Sequence, residues 1–415
     1  MKSKNVILFL LCLMLGALPV AAEQQKVVLA AQIAGGAHRL ELLREVQNFK
    51  LQNPEIDLEL KMFRGNTYSE KVEHWLHGGA GPDIIYWYGG QRVRQYAEQG
   101  LIQNIDSFWK SQNFDDVFTV VASDAVKVDA KAYAIPTVVH FWALYYSPNT
   151  FIRHKVSIPT TWSELLESCR TFRAKGVDLF AFGAGTQWTT HAWFDYLTLR
   201  LHGLDFYRQL TQGELPYTDK RVLETLSYWR ELLDNNCFTK NARKYDLDSA
   251  LPRMFHGLSA TMLTFGRLET SVPSPILEEL DVMPFPVINR ELPSYTVSPI
   301  DVYMVPSYAK LNSGVEKVLA FLGSKEYQAA ENKLAARNPA RKDVEGASSE
   351  LSRKVSKMIK ASPGGVQYFD REVPIELGSK TPAIFVSFME HRDIERCARE
   401  LEAARATAVK SGAYQ

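Results

Sequence analysis

The sequence predicts an α/β protein of two lobes, and three observations carry that reading. Apolar strand-like runs alternate with amphipathic helical stretches from residue 27 to residue 88. The same alternation starts afresh after residue 140. Removing a 22-residue leader from 415 residues leaves 393, more than one hydrophobic core usually serves.

The leader comes first. Lys2 and Lys4 precede an apolar run from Val6 to Leu18, and Val20-Ala21-Ala22 supplies the small residues of a cleavage site. The run is shorter than the roughly 20 residues that span a bilayer, so a secretory signal over 1–22 and a mature start near Glu23 are expected. Cys12 lies inside the run rather than at a mature terminus, which argues against a lipid anchor.

Val27-Val28-Leu29-Ala30-Ala31 reads as a buried strand, followed by Gly35-Gly36 and a helix whose apolar stripe is Leu40, Leu43, Val46 and Phe49. Ile56, Leu58, Leu60 and Met62 alternate with Asp57, Glu59 and Lys61, as in a strand with one buried face. A helix around Tyr68 to Leu76 then leads through Gly78-Gly79-Ala80-Gly81-Pro82 into an apolar strand ending at Tyr88. Such strand-helix repetition implies a parallel sheet under helices, with ligands gathering where loops leave the strand ends.

In the second unit Thr161 caps a predicted helix from Trp162 to Lys175, and Gly176 ends it. Leu179 to Phe182 is a short strand, followed by helices near 192–202 and 221–235 and strands near 260–265 and 280–285. Val297 to Val305 reads as one more strand, and the chain closes on a charged amphipathic helix over 393–409.

Composition excludes several classes. Lys plus Arg number 48 against 47 Asp plus Glu, so the basic footprint of nucleic-acid binding is missing. The nine histidines show no metal-ligand spacing, and no cofactor or metal is expected. Cys169, Cys237 and Cys397 remain after the leader, which allows one disulfide without naming the pair. No nucleophile elbow, zinc helix, phosphate loop or dinucleotide turn occurs, and Asp115-Asp116 reads as a solvated turn. An enzyme is not expected.

Aromatic residues instead stand at loop and strand-end positions: Trp87 and Tyr88 before Gly89-Gly90, then Phe141, Trp142, Trp188, Trp193 and Phe265. Aromatic planes cover the C–H face of a sugar ring, while charged and amide groups bond its hydroxyl rim.

The stretches GGAGPDIIYWYGGQRVRQYAEQGLI (78–102), DAVKVDAKAYAIPTVVHFWALYYSPNTF (124–151), PTTWSELLESC (159–169), HAWFDYLTLRLHGLDFY (191–207), PSYTVSPIDVYMVP (293–306) and QYFDREVPIEL with FVSFME (367–390) carry a resemblance. The chain resembles the family 1 extracellular solute-binding proteins, carbohydrate receptors related to maltose-binding protein. That resemblance implies the type 2 periplasmic-binding-protein fold: two α/β lobes, hinge crossings, and a ligand cleft that closes. It puts 23–138 and 295–338 in the first lobe and 139–294 and 339–415 in the second. Crossings are expected near Pro136 to His140, Tyr295, and Arg337 to Lys342.

The resemblance also suggests cleft residues: Gly36, His38, Arg64, Trp87, His140, Trp142, Trp188, Trp193, Phe265, Arg267, Asp301 and Arg371. Five of these, His38, Arg64, His140, Arg267 and Arg371, are unusually cationic for a neutral sugar. Either the ligand carries a carboxylate or phosphate, or these residues pair with acids such as Asp301 and Asp370. The implied function is a monomeric periplasmic receptor that delivers a mono- or oligosaccharide to an inner-membrane ABC permease. A sensory adaptor that presents its closed form to a membrane receptor or kinase is the alternative.

Overall fold

The computed structural model describes residues 24–33, 36–64, 66–266, 268–335, 337–345 and 349–414. The leader, Cys12 and Arg267 lie outside the described residues. No helix among those described is long and apolar enough to cross a membrane.

The principal strands, in chain order, are β1 (Gln25–Gln32), β2 (Ile56–Phe63), β3 (Ile84–Tyr88), β4 (Ala134–Val139), β5 (Ala143–Tyr146), β6 (Asp178–Phe180), β7 (Ser259–Thr264), β8 (Asp281–Met283), β9 (Ile300–Met304) and β10 (Asn338–Pro339). They form two sheets. The first is ordered β10-β4-β9-β3-β1-β2 and the second β8-β5-β7-β6. Pairing of β1 with β2 and β3 is parallel, as the strand-helix alternation requires, whereas the returning β9 runs antiparallel between β3 and β4. One apolar core surrounds the first sheet through Leu29, Ile84 and Val302 and continues under the second through Tyr145 and Met262. Another fills the opposite face of the second sheet with Leu144, Leu263, Trp229 and Tyr196.

Three adjacent segments join the sheets. His140 N donates to Pro299 O at 2.8 Å and Trp142 N to Val297 O at 3.0 Å. Thr296–Val297 pairs in turn with Gly365–Val366, and Ser298 N donates to Val366 O at 2.8 Å. The strand expected over 297–305 is therefore two pieces with Ser298-Pro299 between them, because this stretch pairs first with the crossing ribbon and then with the first sheet. Residues 337–342, where a crossing is expected from sequence, pair with β4 and with the end of the helix Phe114–Val117: Asn338 opposite Val139, Arg341 opposite Phe118, and Lys342 N donating to Val117 O. The helix Glu350–Ala361 follows before the chain enters the ribbon at 364–367.

Two helices show how well local signals work. Helix Trp162–Ala174 opens on a capping box in which Thr161 accepts from Glu164 N and Glu164 reaches back to the cap. Its inner face buries Leu165, Cys169 and Phe172, and the leucine and phenylalanine each stabilise by roughly 1.5–3 kcal/mol. Cys169 is bonded there to Cys237 at the end of the loop after helix Lys220–Asp234, leaving Cys397 as a buried thiol. Helix Gly36–Gln52, by contrast, corrects the expected stripe: Leu40 is 69% exposed and Leu43 39%, while Leu42, Val46 and Phe49 are buried beside Glu41 and Glu45. Its inner face is shared with charge, since His38 meets Glu331 of helix Lys325–Ala335.

Candidate functional site

The site is built from the ribbon outward. In a strand, side chains alternate between faces, but at the end of β3 the Trp87 ring turns back onto Tyr88, stacking with centroids 5.0 Å apart. Trp87 packs in the interior against Tyr68 and Tyr96. Tyr88 instead lies across from Asp301 of β9, and its hydroxyl donates to Gln32 Oε1 of β1 at 2.9 Å.

Asp301 is the centre of the polar side. It is 2% exposed and receives His140 Nε2 on Oδ2 at 2.7 Å and Arg371 Nη1 on Oδ1 at 3.3 Å. Burial alone would raise its pKa. His140, Arg371 and Arg337 overcome that and hold the carboxyl below the usual carboxylate range. The Arg371 guanidinium also sits 3.9 Å above the Tyr88 ring, a cation–π contact worth about 0.5–2 kcal/mol. Nearby, Arg337 donates to His38 Nδ1 at 3.1 Å, and His38 Nε2 and Arg337 Nη1 both face Glu331 Oε1, at 3.4 and 3.7 Å.

The aromatic side belongs to the second lobe. Trp142, immediately after the first crossing, stacks on Tyr368 with ring centroids 4.7 Å apart. Phe265, following β7, lies 5.0 Å from Trp142, and Trp188 meets both Trp142 and Tyr368 edge-on at 5.9 and 5.6 Å. His140 abuts the same Phe265 ring at 5.9 Å, so Phe265 bridges His140 and Trp142. Trp142 is only 2% exposed and supports this wall from behind, whereas Trp188, Phe265, His140, Tyr88 and Arg371 keep part of their surface open. The tyrosine hydroxyl of Tyr196 fixes Trp142 from below by donating to its carbonyl.

The residues expected in the cleft thus divide. His140, Trp142, Trp188, Phe265, Asp301 and Arg371 come together. His38 is buried in the neighbouring charged cluster. Gly36 opens helix Gly36–Gln52, and Arg64 is exposed at the end of β2. Trp87 and Trp193 are core residues, Trp193 wedged among Phe180, Phe238 and Phe285. Sequence reasoning left Gln32, Tyr88 and Tyr368 off its set. The alternation within Tyr86-Trp87-Tyr88 is the signal that could have found Tyr88, because only one parity faces Asp301.

Two lobes, a ribbon hinge and a shared wall-and-rim site are the geometry on which the comparisons bear. The model of the bacterial extracellular solute-binding protein family matches residues 36–329. The chain belongs to this family. Solute-binding proteins of this kind bind their solutes without transforming them. Among relatives, an ABC transporter extracellular-binding protein of Pyrococcus horikoshii is 22% identical over 66% of this chain and 61% of its own length. A sugar-binding periplasmic protein of Brucella melitensis is 26% identical over 58% of each. The chain thus spans about three fifths of these relatives. Solved structures share the fold more fully: the solute receptor AcbH, described as preferring β-D-galactopyranose, superposes with a TM-score of 0.85 at 21% identity, covering 93% of this chain and 99% of that one. A chitin oligosaccharide binding protein superposes at 0.78 with 18% identity, covering 93% and 99%.

Proposed function

We propose that this solute-binding protein is the periplasmic receptor of an ABC-type importer for a neutral mono- or oligosaccharide, exported with cleavage near Glu23. The observation that carries the reading is the facing of an aromatic wall, Trp142, Trp188 and Phe265, by a rim whose charges are already matched. Arg371 pairs with Asp301, to which His140 is also bonded, and Arg337 is set against Glu331, so the arginines of the rim have partners without a ligand anion. A sugar presents C–H faces to such a wall and hydroxyls to such a rim, and asks for no net charge. The names of the Brucella relative and of the galactopyranose receptor point the same way.

Closure follows from the same arrangement. The aromatic wall comes from the second lobe and Asp301 and Tyr88 from the first, so only a closed cleft offers both. Thermal-shift and calorimetric screening of the mature protein against neutral sugars, uronates and phosphosugars tests the class. A ligand at a hundred times its Kd raises stability by about 2.7 kcal/mol. Neutral sugars should stabilise and shrink the radius of gyration in scattering; stabilisation by uronates or phosphosugars alone would overturn the neutral reading. Delivery is tested with the permease in proteoliposomes, where liganded receptor should stimulate ATP hydrolysis.

A further inference from the structure

The segment Gln367–Glu372 touches both halves of the site within six residues. Gln367 Oε1 accepts from Ile300 N at 2.6 Å, and Asp370 O accepts from Arg92 Nη2 at 2.8 Å, both on the first-sheet side. Arg371 reaches Asp301 and Tyr88 there as well. Toward the second lobe, Phe369 N donates to Asp195 Oδ2 at 3.2 Å. Tyr368 makes the remaining contacts, and they are unusually many for one side chain.

Its ring is stacked on Trp142, and edges meet Trp188 and His191. Its hydroxyl donates to Trp188 O at 3.0 Å and accepts from Ala192 N at 3.1 Å. Ala192 stands in the first turn of helix His191–Thr211, where backbone N–H groups have no partner within the helix. One phenol therefore satisfies a helix-start donor, holds the backbone of one wall residue and backs the ring of another. Burial pushes that phenol well above its ordinary pKa, so it stays a donor throughout the working pH range.

We propose that Tyr368 is the positioning residue of the cleft: it sets the angle between Trp142 and Trp188 and ties that angle to lobe closure through Arg371, three residues along the same turn. The ligand contact itself belongs to the wall, and this assignment rests on the carbohydrate-receptor reading only for what the wall grips. When the lobes separate, the first-sheet contacts of Gln367, Asp370 and Arg371 are the ones that must change. Tyr368 then carries that change directly to the aromatic wall.

Tyr368→Phe and Tyr368→Leu test this in the mature protein. In Tyr368→Phe the ring stays and the hydroxyl is lost, so hydrogen exchange at the Ala192 amide should accelerate by about tenfold or more without ligand, with the melting temperature nearly kept. Affinity for galactose or maltose, whichever the wild type binds, should fall about tenfold, and the ligand-induced decrease in radius of gyration should shrink. Tyr368→Leu should extend the loss to Trp142, seen as a shifted tryptophan emission. Unchanged Ala192 exchange in Tyr368→Phe overturns the proposal, as does an affinity loss that merely tracks a lowered melting temperature. If neither sugar binds the wild type, the receptor reading is what suffers, and the ligand-free exchange measurement still decides the role of Tyr368.

Discussion

The two sides of the cleft solve the problem of an open site in opposite ways. On the first-sheet side, Asp301 is buried and works only because His140 and Arg371 converge on it. On the second-lobe side, Trp142, Trp188, Phe265 and Tyr368 support one another by ring contact. Polar groups taken from water must be paired, whereas rings taken from water gain from it. The difference teaches that charge here serves internal order, and that the rings are the part of the site that needs no partner of opposite charge.

Truncation of the wall should have the largest effect. Trp142→Ala removes a buried indole stacked on Tyr368 and should cost roughly 3–5 kcal/mol in urea unfolding. A small loss of stability with a large loss of affinity would instead make Trp142 a direct platform. Asp301→Asn attacks the other side. It leaves the Arg371 guanidinium and the His140 ring facing a neutral amide, for about 3 kcal/mol, the lower end for breaking a buried pair. It should also admit uronates that the wild type ignores, which calorimetry reads directly.

A pH series separates the two sides further. His191, behind the wall, is fully buried with Nε2 against Thr381 Oγ1, and burial lowers its pKa to about 4, with Asp370 opposing. Between the ordinary histidine value and 4 the unfolded chain binds a proton that the folded one refuses. Stability is thus fully present above about pH 6.5 and falls on acidification to about pH 4, by roughly 3 kcal/mol in all. Asp195, buried nearby with a raised pKa, acts with the opposite sign, so the quantity to measure is the difference between wild type and His191→Gln. A flat difference curve from pH 7 to 4.5 would remove His191 as the cause. The smallest effect is expected from Trp188→Ala, whose half-open ring should cost about 1.4 kcal/mol of binding, tenfold in Kd, and little stability.

Much of the fold was legible because its signals are local. The Thr161 cap, the alternation of Ile56 to Met62 and the placement of the two α/β units need only neighbours in sequence. The helix after β1 was less legible, since Leu40 and Leu43 look like a core stripe but the face turned inward is chosen by Glu331 and Arg337, some 300 residues away. The site followed the same rule. Residues at strand ends and crossings, such as His140 and Asp301, could be named, but which ring of Tyr86-Trp87-Tyr88 stays open beside Asp301 depends on what β3 packs against. Tyr368 gave no periodic signal at all. It lies in a short irregular stretch whose importance comes from contacts with Trp142, Trp188 and Ala192, 170 to 230 positions earlier.

The bridge between Cys169 and Cys237 closes a loop of 68 residues, and that loop carries Trp188, His191, Asp195 and Tyr196. A covalent tie acts chiefly on the unfolded ensemble: in the chain-entropy view a loop of this length is worth about 4 kcal/mol, lost from the disorder of the free chain. The gain falls on the aromatic lobe alone, because the first lobe holds no cysteine among its described residues. Reductant should therefore melt the wall's lobe at a lower temperature than the charged one, turning one cooperative transition into two. The bridge thus does more than harden the molecule: it places its whole effect on the half that carries the aromatic wall.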